Sequence, residues 1–311
     1  MKPIVNSGLV IRPETHEDYH HVANITLEAF DYHTTETILV ALQRQRTTYD
    51  PELALVAELN GEVVGHVLFS PEVIGFMGER IQAVNLAPIA VNPAYHGRGI
   101  GSALIREGHR IAASKSYAIS YLLGHDTYYP RFGYRVNTFG TSKIQADVAQ
   151  LPNAEDVETR SPTVADLKGL FALWKYEESN VDFSAHPGVQ LLSWISPNPQ
   201  IQSRVHVRDG KLIGYSRMRH NSDEIDVLFA NDDHSARQIV RVLSHGKAKM
   251  TLNLHPSSAS AGAFGQPIVT PWRAGMACSL YGNQLDAYFA EVLADRRAVG
   301  RPIWHTVFDL A

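Results

Sequence analysis

A pattern of charged residues and turns occurs twice along the chain, and it limits the fold more than any other feature. Arg12 follows a short apolar stretch and precedes Asp18 by six positions, and Arg160 precedes Asp166 by the same six positions. The glycine of a two-residue turn then follows the arginine after 49 positions in the first copy and after 50 in the second. A repeat of this length predicts two similar folding units.

The 311 residues are enough for two ordinary domains, each with its own core. We place the division near residues 140–156, with a first domain over residues 1–145 and a second over residues 155–311. Asn60-Gly61 lies between two apolar runs and predicts an antiparallel hairpin. Because strand signals and helix signals alternate in both domains, we predict an α/β fold with a mixed sheet in each.

The apolar periodicity divides the first domain into ten elements. They are strands at 9–12, 53–59, 63–70, 81–91, 117–123 and 134–138, with helices from Thr15 to about Phe30 and at 36–45, 99–113 and 127–132. Pro88 lies within one of these strands and predicts a bulge or an unpaired stretch, because proline cannot donate to a sheet. In the second domain, residues 257–265 are rich in serine, alanine and glycine and predict a loop.

Composition excludes several classes of protein. The net charge is −4, so no overall basic field attracts nucleic acid or anionic lipid. Cys278 is the single cysteine, which excludes disulfide frameworks and the usual cysteine zinc sites. Residues 1–8 lack the apolar core of a signal peptide, and no run of about 18 apolar residues occurs. We therefore expect a cytoplasmic protein without nucleic-acid or membrane partners.

Residues 91–104 run from a strand through a glycine-rich turn into a helix, with Gly97, Gly99 and Gly101 in the turn. Glycines allow backbone N–H groups to converge, and the start of a helix adds unpaired donors and the positive end of its dipole. This arrangement is typical of phosphate binding, although a glycine turn alone is equally typical of a structural turn. The motif lacks the Gly-Lys-Ser/Thr of a P-loop. It is not a dinucleotide-binding fingerprint either, because Leu104 occupies the position of the third glycine.

His96-x-x-Gly99-x-Gly101 resembles the Gln/Arg-x-x-Gly-x-Gly/Ala signature of the Gcn5-related N-acetyltransferases (GNAT superfamily), with histidine in the place of glutamine or arginine. The resemblance covers about residues 9–138 and includes Tyr129-Pro130-Arg131-Phe132-Gly133-Tyr134, similar to the family's Tyr-x-x-x-Gly-Phe segment. It implies a tandem acyl-CoA N-acyltransferase-like fold, with fourth and fifth strands that splay apart to admit the pantetheine arm of acetyl-CoA.

The resemblance also implies roles for particular residues. Tyr129 takes the place of the tyrosine that protonates the departing thiolate, while His125 and Asp126 are candidates for the base that deprotonates the amine. The other interpretation of these three residues is packing, turn formation or capping. Residues that would hold acetyl-CoA are Ile89, Ala90, Val91, His96, Gly97, Arg98, Gly99, Ile100, Gly101 and Ser102. Many family members keep a glutamate on the fourth strand, but residues 81–91 contain no carboxylate.

A second motif points to different chemistry. The His-Glu-x-x-His pattern of zinc proteases is matched by His16-Glu17-Asp18-Tyr19-His20. Here the pattern lies in a polar first turn behind Thr15, where a helix cap is expected, and not inside a helix with apolar flanks. A solvated helix start is the preferred interpretation, and we expect no metal.

In the second domain the glycine loop is replaced by residues 231–237, which contain two aspartates and no glycine. Carboxylates repel a diphosphate, so we expect this half to be degenerate and not to bind CoA in the usual way. It would support the first half, form a wall of its acceptor cleft, or do both. The aromatic residues that could form such a wall are Trp174, Tyr176, Trp194 and Trp272, and packing in a core is their other interpretation.

These observations lead to two hypotheses. The first is an N-acetyltransferase that transfers acetyl from acetyl-CoA to a primary amine by direct attack in a ternary complex, with the N-terminal half active. The acceptor would be a small molecule or a peptide, and the protein a monomer or a homodimer. The alternative is a non-catalytic sensor or interaction module that binds acyl-CoA.

Overall fold

The computed structural model describes residues 8–310. The expectation that no signal peptide is present rests largely on residues 1–7, which lie outside this range. Within residues 8–310, no helix is both long and apolar enough to cross a membrane.

Strands and helices alternate through the first part of the chain as the periodicity predicts. The elements are β1 (Leu9–Pro13), α1 (Tyr19–Ala29), α2 (Thr35–Gln43), β2 (Ala54–Leu59), β3 (Glu62–Phe76), β4 (Glu79–Val91), α3 (Ile100–Ser114) and β5 (Ile119–Leu123). Asn60 and Gly61 both have positive φ, 53° and 88°, as the hairpin turn requires. β3 is longer than predicted because a second two-residue turn, at Met77 and Gly78, joins it directly to β4.

The remaining elements follow a similar order. They are β6 (Gly140–Asp147), β7 (Glu158–Arg160), α4 (Leu167–Glu178), β8 (Ile201–Arg208), β9 (Lys211–Arg219), β10 (Glu224–Ile225), β11 (Val227–Ala230), α5 (Asp233–Leu243), β12 (Lys249–Leu252), β13 (Ile268–Pro271), β14 (Gly275–Ser279) and α6 (Gln284–Leu293). Short 3-10 helices lie at 16–18, 51–53, 93–95, 129–132, 148–150, 164–166, 191–193, 259–263 and 306–310.

The repeated arginine and aspartate form the same contacts in both copies. Arg12 donates to both oxygens of Asp18 at 2.7 and 2.9 Å, and Arg160 donates to both oxygens of Asp166 at 2.7 Å. Each aspartate also closes a capping box at the start of a helix, with Thr15 in the first copy and a second threonine in the other. The ion pairs lower the pKa of both carboxyl groups. The predicted likeness of the two halves is therefore visible at the level of single hydrogen bonds.

The first sheet has the strand order β1-β2-β3-β4-β5-β14. β4 runs parallel to β5, but their pairing ends at Asn85 and Tyr121. On the other edge of β4 the register with β3 shifts around Pro88, where two residues of β4 oppose one of β3. The predicted bulge is thus confirmed, and beyond it β4 and β5 diverge as the resemblance implies.

The last strand of the first sheet is supplied from far along the chain, which corrects the prediction of a strand at 134–138. That segment forms one bridge, between Arg135 and Ala277, and does not pair with β5. The strand beside β5 is β14, antiparallel from Ser279 to Gly275. Residues 134–138 alternate apolar and polar side chains as a half-buried strand does, so periodicity along the sequence could not show that a distant segment takes this place in the sheet.

In the second half, β6 pairs with a strand that lies about 100 positions later in the chain. β11, β9, β8 and β7 form one sheet, and β10, β12, β6 and β13 form another. β10 runs parallel to β12, as β4 does to β5, and β6 pairs antiparallel with β12. β14 comes from beyond the predicted boundary at residues 140–156, and β6 lies within that boundary. The division into residues 1–145 and 155–311 stays a prediction.

Candidate functional site

The divergence of β4 and β5 opens a cleft of about 1130 Å³. The bulged half of β4 forms one wall, and the segment that follows β5 forms the other. The cleft is lined by Ala29, Phe30, Glu36, Leu39, residues 85–91, Tyr95, His96, Gly97, residues 99–102, residues 123–125, Tyr128, Tyr129, Arg131, Trp272, Trp304 and Phe308. Nine of the ten residues predicted to hold acetyl-CoA are among them. Arg98 is not, and its guanidinium lies 5.0 Å from the centre of the Tyr95 ring.

The glycine loop has the geometry of an anion cradle. Gly97 and Gly99 have φ of 76° and 80°, in the left-handed region that favours glycine. A Cβ built on either one meets no described atom within 4 Å, so both face open space. The first hydrogen bond of α3 runs from Ala103 N to Gly99 O at 3.0 Å. The N–H groups of residues 100–102 therefore have no acceptor within the helix and are available to a ligand.

His96 orients the start of this loop. Its Nε2 donates to the carbonyl oxygen of Val91 at 2.8 Å, which ties the loop to the end of β4. Ile89, Ala90 and Val91 pair with β3 along one edge and line the cleft along the other. The backbone of this short stretch is thus held rigidly beside the space that the glycine loop closes.

Two adjacent tyrosines form the opposite wall. The Tyr128 hydroxyl packs against Gly101, since a Cβ there would lie 2.8 Å from it. Tyr129 is 8% exposed, and its ring lies against Gly124 and packs edge-on against Tyr134. Burial, with a smaller effect from Tyr128, raises the pKa of Tyr129 to about 12. Its phenol therefore stays protonated at neutral pH while it lines the cleft.

The two candidate bases are placed differently. His125 is exposed and lines the cleft. Asp126 does not line it, and its carboxylate accepts from Arg273 Nε at 2.7 Å in an ion pair at the surface. The structure thus brings Tyr129 and His125 to the cleft but not Asp126, because the turn after β5 directs that carboxylate away.

Several cleft residues gave no recognisable signal in the sequence. Glu36, on the first turn of α2, is the one carboxylate among the described cleft residues, and its Oε2 is buried without a hydrogen-bond partner in residues 8–310. Asn85 is 2% exposed at the point where β4 and β5 separate. Trp304 and Phe308 come from the end of the chain. All of them arrive through long-range packing, which a local motif does not encode.

The His16 motif forms a capped helix start. Asp18 closes the capping box with Thr15, and His20 stacks on His21 with ring centres 3.8 Å apart. Within the described range, no group of three or more histidine, cysteine, aspartate or glutamate side chains is arranged to hold a metal ion.

In the second half the corresponding cleft is filled. Ala230 pairs with β9 as Val91 pairs with β3, but its N–H donates to Glu177 Oε1 at 3.1 Å. The same carboxylate accepts from the N–H of Ser260 at 3.0 Å and from its hydroxyl, and so anchors the 3-10 helix over residues 259–263. The segment predicted as a loop therefore occupies the place that a pantetheine arm would need.

Of the four aromatic residues considered as a wall, one lines the cleft. Trp272 is 44% exposed and does so. Trp174 and Trp194 are buried in the core of the second half, and Tyr176 is exposed elsewhere. The wall from the second half therefore consists of Trp272 together with Trp304 and Phe308.

A splayed mixed sheet with a glycine cradle at the start of a helix defines the fold of acyl-CoA N-acyltransferases, and the comparisons agree. Residues 10–137 match the family described as "Acetyltransferase (GNAT) domain". The chain belongs to the Gcn5-related N-acetyltransferases. A GCN5-related N-acetyltransferase from Kribbella flavida superposes with a TM-score of 0.68 over 88% of this chain and 72% of its own, at 19% identity, which shows the shared fold.

Two relatives are more similar in sequence over the first half. The uncharacterized N-acetyltransferase YjhQ of Escherichia coli K12 is 36% identical over 118 residues, which is 38% of this chain and 64% of YjhQ. A GNAT family acetyltransferase from Brucella melitensis, solved in complex with acetyl-CoA, is 36% identical over 41% of this chain and 83% of its own, with a TM-score of 0.37. The chain thus spans less than two-thirds of the curated relative.

Proposed function

We propose that the protein transfers acetyl from acetyl-CoA to a primary amine by direct attack in a ternary complex, with the N-terminal half active. The observation that carries this proposal is the single cleft that joins a glycine cradle for a diphosphate to a protonated, buried tyrosine. The free N–H groups of residues 100–102 would hold the pyrophosphate, and the backbone of Ile89–Val91 would align the pantetheine arm. The acetyl-CoA complex of the Brucella melitensis relative supports the choice of ligand.

In the proposed reaction the neutral amine nitrogen attacks the thioester carbonyl carbon. The carbon–sulfur bond then breaks, the acetyl group remains on the nitrogen, and the thiolate leaves with the electron pair of that bond. Tyr129 donates its phenolic proton to the departing sulfur, the acetylated nitrogen releases its surplus proton to solvent, and the phenolate takes a proton back from solvent. The phenol is protonated before the reaction, as the role requires, and the rise of its pKa on burial makes it a weaker acid than an exposed tyrosine.

The acceptor arrives as an ammonium ion and must lose a proton before it attacks. Glu36 would attract the ammonium group, since it is the one carboxylate among the described cleft residues and has an unpartnered oxygen. His125 would accept the proton, because it lines the cleft and is open to solvent. The ion pair with Arg273 makes Asp126 the weaker candidate for this step.

Substitution of Tyr129 by phenylalanine tests the proposal. We expect free-thiol release in an amine screen to fall by about 10²-fold or more, with CoA affinity unchanged within about twofold. Tyr176→Phe is the matched control, because Tyr176 is an exposed tyrosine outside the cleft. Wild-type protein should gain about 2.7 kcal/mol of stability at a CoA concentration about 100 times the dissociation constant. Absence of any CoA-dependent thermal shift would contradict the assignment.

The alternative is a sensor that binds acyl-CoA without turnover. It predicts the same thermal shift with CoA but no thiol release with any amine, for wild type and Tyr129→Phe alike. The placement of Glu36 and His125 in the cleft favours the enzyme, because a sensor needs no titratable groups near the thioester.

A further inference from the structure

A second cavity, of about 460 Å³, lies in the second half of the protein. It opens between β9, β10 and the start of β6, on the side that faces the first half. Trp272, Trp304 and Phe308 line both this cavity and the acetyl-CoA cleft. The two cavities therefore share one aromatic wall.

The charges that line the second cavity balance. Three arginines and three carboxylates contribute to its surface, namely Arg217, Arg219, Arg301, Glu224, Asp226 and Asp309. Such a surface attracts neither a polycation nor a polyanion, because each would meet three charges of its own sign. It is complementary to a ligand that carries one positive and one negative group.

Four of the six charged groups already have protein partners. Arg217 lies 3.6 Å from Asp309 and donates to the carbonyl of Trp304. Glu224 pairs with a lysine of β6, and Arg301 pairs with a buried glutamate of α4. These contacts tie the wall of the cavity together.

Asp226 and Arg219 remain available. No described side chain donates a hydrogen bond to the Asp226 carboxylate, and none accepts from the Arg219 guanidinium within the described part of the chain. Three further side-chain atoms of the lining residues are buried without a hydrogen-bond partner in residues 8–310: Oδ1 of Asn253, Oδ2 of Asp309, and Nε of Arg301, a residue only 5% exposed. Burial also raises the pKa of the Asp226 carboxyl. A carboxylate and a guanidinium without hydrogen-bond partners in the described residues thus line one cavity.

We propose that this cavity is a second acceptor subsite, which binds an amphoteric group such as the α-ammonium and α-carboxylate of an amino acid. Asp226 would accept from the ammonium and Arg219 would donate to the carboxylate. The acceptor would then extend past Trp272, and its distal primary amine would lie in the cleft beside Glu36. The inference rests on the proposed acetyl transfer and names its substrate class, a primary amine with an amino-acid end.

Four acceptors test the subsite in the full-length protein: L-lysine, its carboxylate-free analogue cadaverine, its α-amine-free analogue 6-aminohexanoate, and pentylamine. We expect the KM for lysine, from thiol release with acetyl-CoA, to be at least about tenfold lower than for the other three. In Arg219→Gln, the KM for lysine should rise to that for cadaverine. In Asp226→Asn, the KM for lysine should rise to that for 6-aminohexanoate. In both variants, the KM for pentylamine should stay within about twofold of the wild-type value, because pentylamine carries neither group that the subsite would bind. Arg296→Gln, an exposed arginine paired with Glu291, is the matched control.

Equal KM values for lysine and cadaverine, or a lysine advantage that survives Arg219→Gln, would overturn the subsite while leaving acetyl transfer intact. If no amine releases thiol, the proposed function fails, and calorimetric titration with lysine and cadaverine decides the subsite separately. Tighter binding of lysine that is lost in Arg219→Gln would then support the subsite, and equal binding would refute it.

Discussion

Gly99→Ala separates the stability of the glycine loop from its proposed role as an anion cradle. Gly99 has φ of 80° at the residue before α3, and a Cβ there would project into open space at the edge of the cleft. Gly210 offers a matched control, since its φ is 70°, its Cβ position is equally open, and it lies in a hairpin turn of the second half. The two substitutions impose the same backbone strain at sites with and without a proposed ligand.

The expected effects follow from the two geometries. An alanine in the left-handed region costs about 1–2 kcal/mol, so both variants should lose about that much free energy of unfolding. Only Gly99→Ala places a methyl group where the diphosphate must approach the backbone. Hydrogen bonds to charged groups contribute about 1.5–3 kcal/mol each, and each 1.4 kcal/mol is about tenfold in affinity. Loss of one such bond predicts a CoA dissociation constant about 10-fold to 100-fold higher.

Urea unfolding gives the first quantity, and calorimetric titration with CoA gives the second. Gly210→Ala should bind CoA with the affinity of wild type despite its reduced stability. If Gly99→Ala also binds CoA normally, or if both variants lose affinity to the same extent, the loop is a structural turn and the cradle interpretation is refuted.

Three other predictions concern different parts of the molecule. Gly124→Ala places a Cβ 2.3 Å from a carbon of the Tyr129 ring, so we expect kcat to fall about tenfold or more with CoA affinity unchanged, measured by thiol release and titration. Burial raises the pKa of Glu177 from 4.5 to about 7, so the free energy of unfolding should fall as the pH rises through that window, and Glu177→Gln should remove this fall in urea titrations at about pH 5 and about pH 8. Arg12→Met should destabilise the protein by about 0.5 kcal/mol more than Arg160→Met in the same assay, because Arg12 binds a second carboxylate and is less exposed.

The features that could be predicted are those encoded within a few residues. The turn at Asn60-Gly61 needs two residues with positive φ, and the sequence supplies a pair that tolerates it. The capping boxes at Thr15 and Thr163 depend on an aspartate three positions later. Pro88 cannot donate to a sheet, and it marks the bulge where the cleft begins. In each case the side chain that carries the signal also forms the structure.

The features that escaped prediction depend on partners far along the chain. β5 pairs with β14 across about 150 positions, and no property of residues 119–123 distinguishes that partner from the alternating segment at 134–138. Glu36, Trp304 and Phe308 meet in the cleft only because α2 and the C-terminal segment pack together. Glu177 is an ordinary helix residue until Ser260 and the N–H of Ala230 converge on it.

The placement of the strands gives a physical reason to expect a second half that does not hold CoA in the usual way. β14 covers β5, the strand that carries the segment with His125 and Tyr129, while β6 leaves the first half to complete the sheet around β12. Beyond these strands, His305 and Arg46 both contact the buried Glu72, which also accepts from Tyr121 of β5. The wall of the cleft that bears Tyr129 is therefore held by backbone and side-chain contacts from the second half. In the second half, the helix at 259–263 fills the corresponding cleft, where Glu177 anchors it through Ser260. In the proposed reaction, the first half would provide the cradle and the acid, and the second half would supply the aromatic wall of Trp272, Trp304 and Phe308 against which an acceptor would lie.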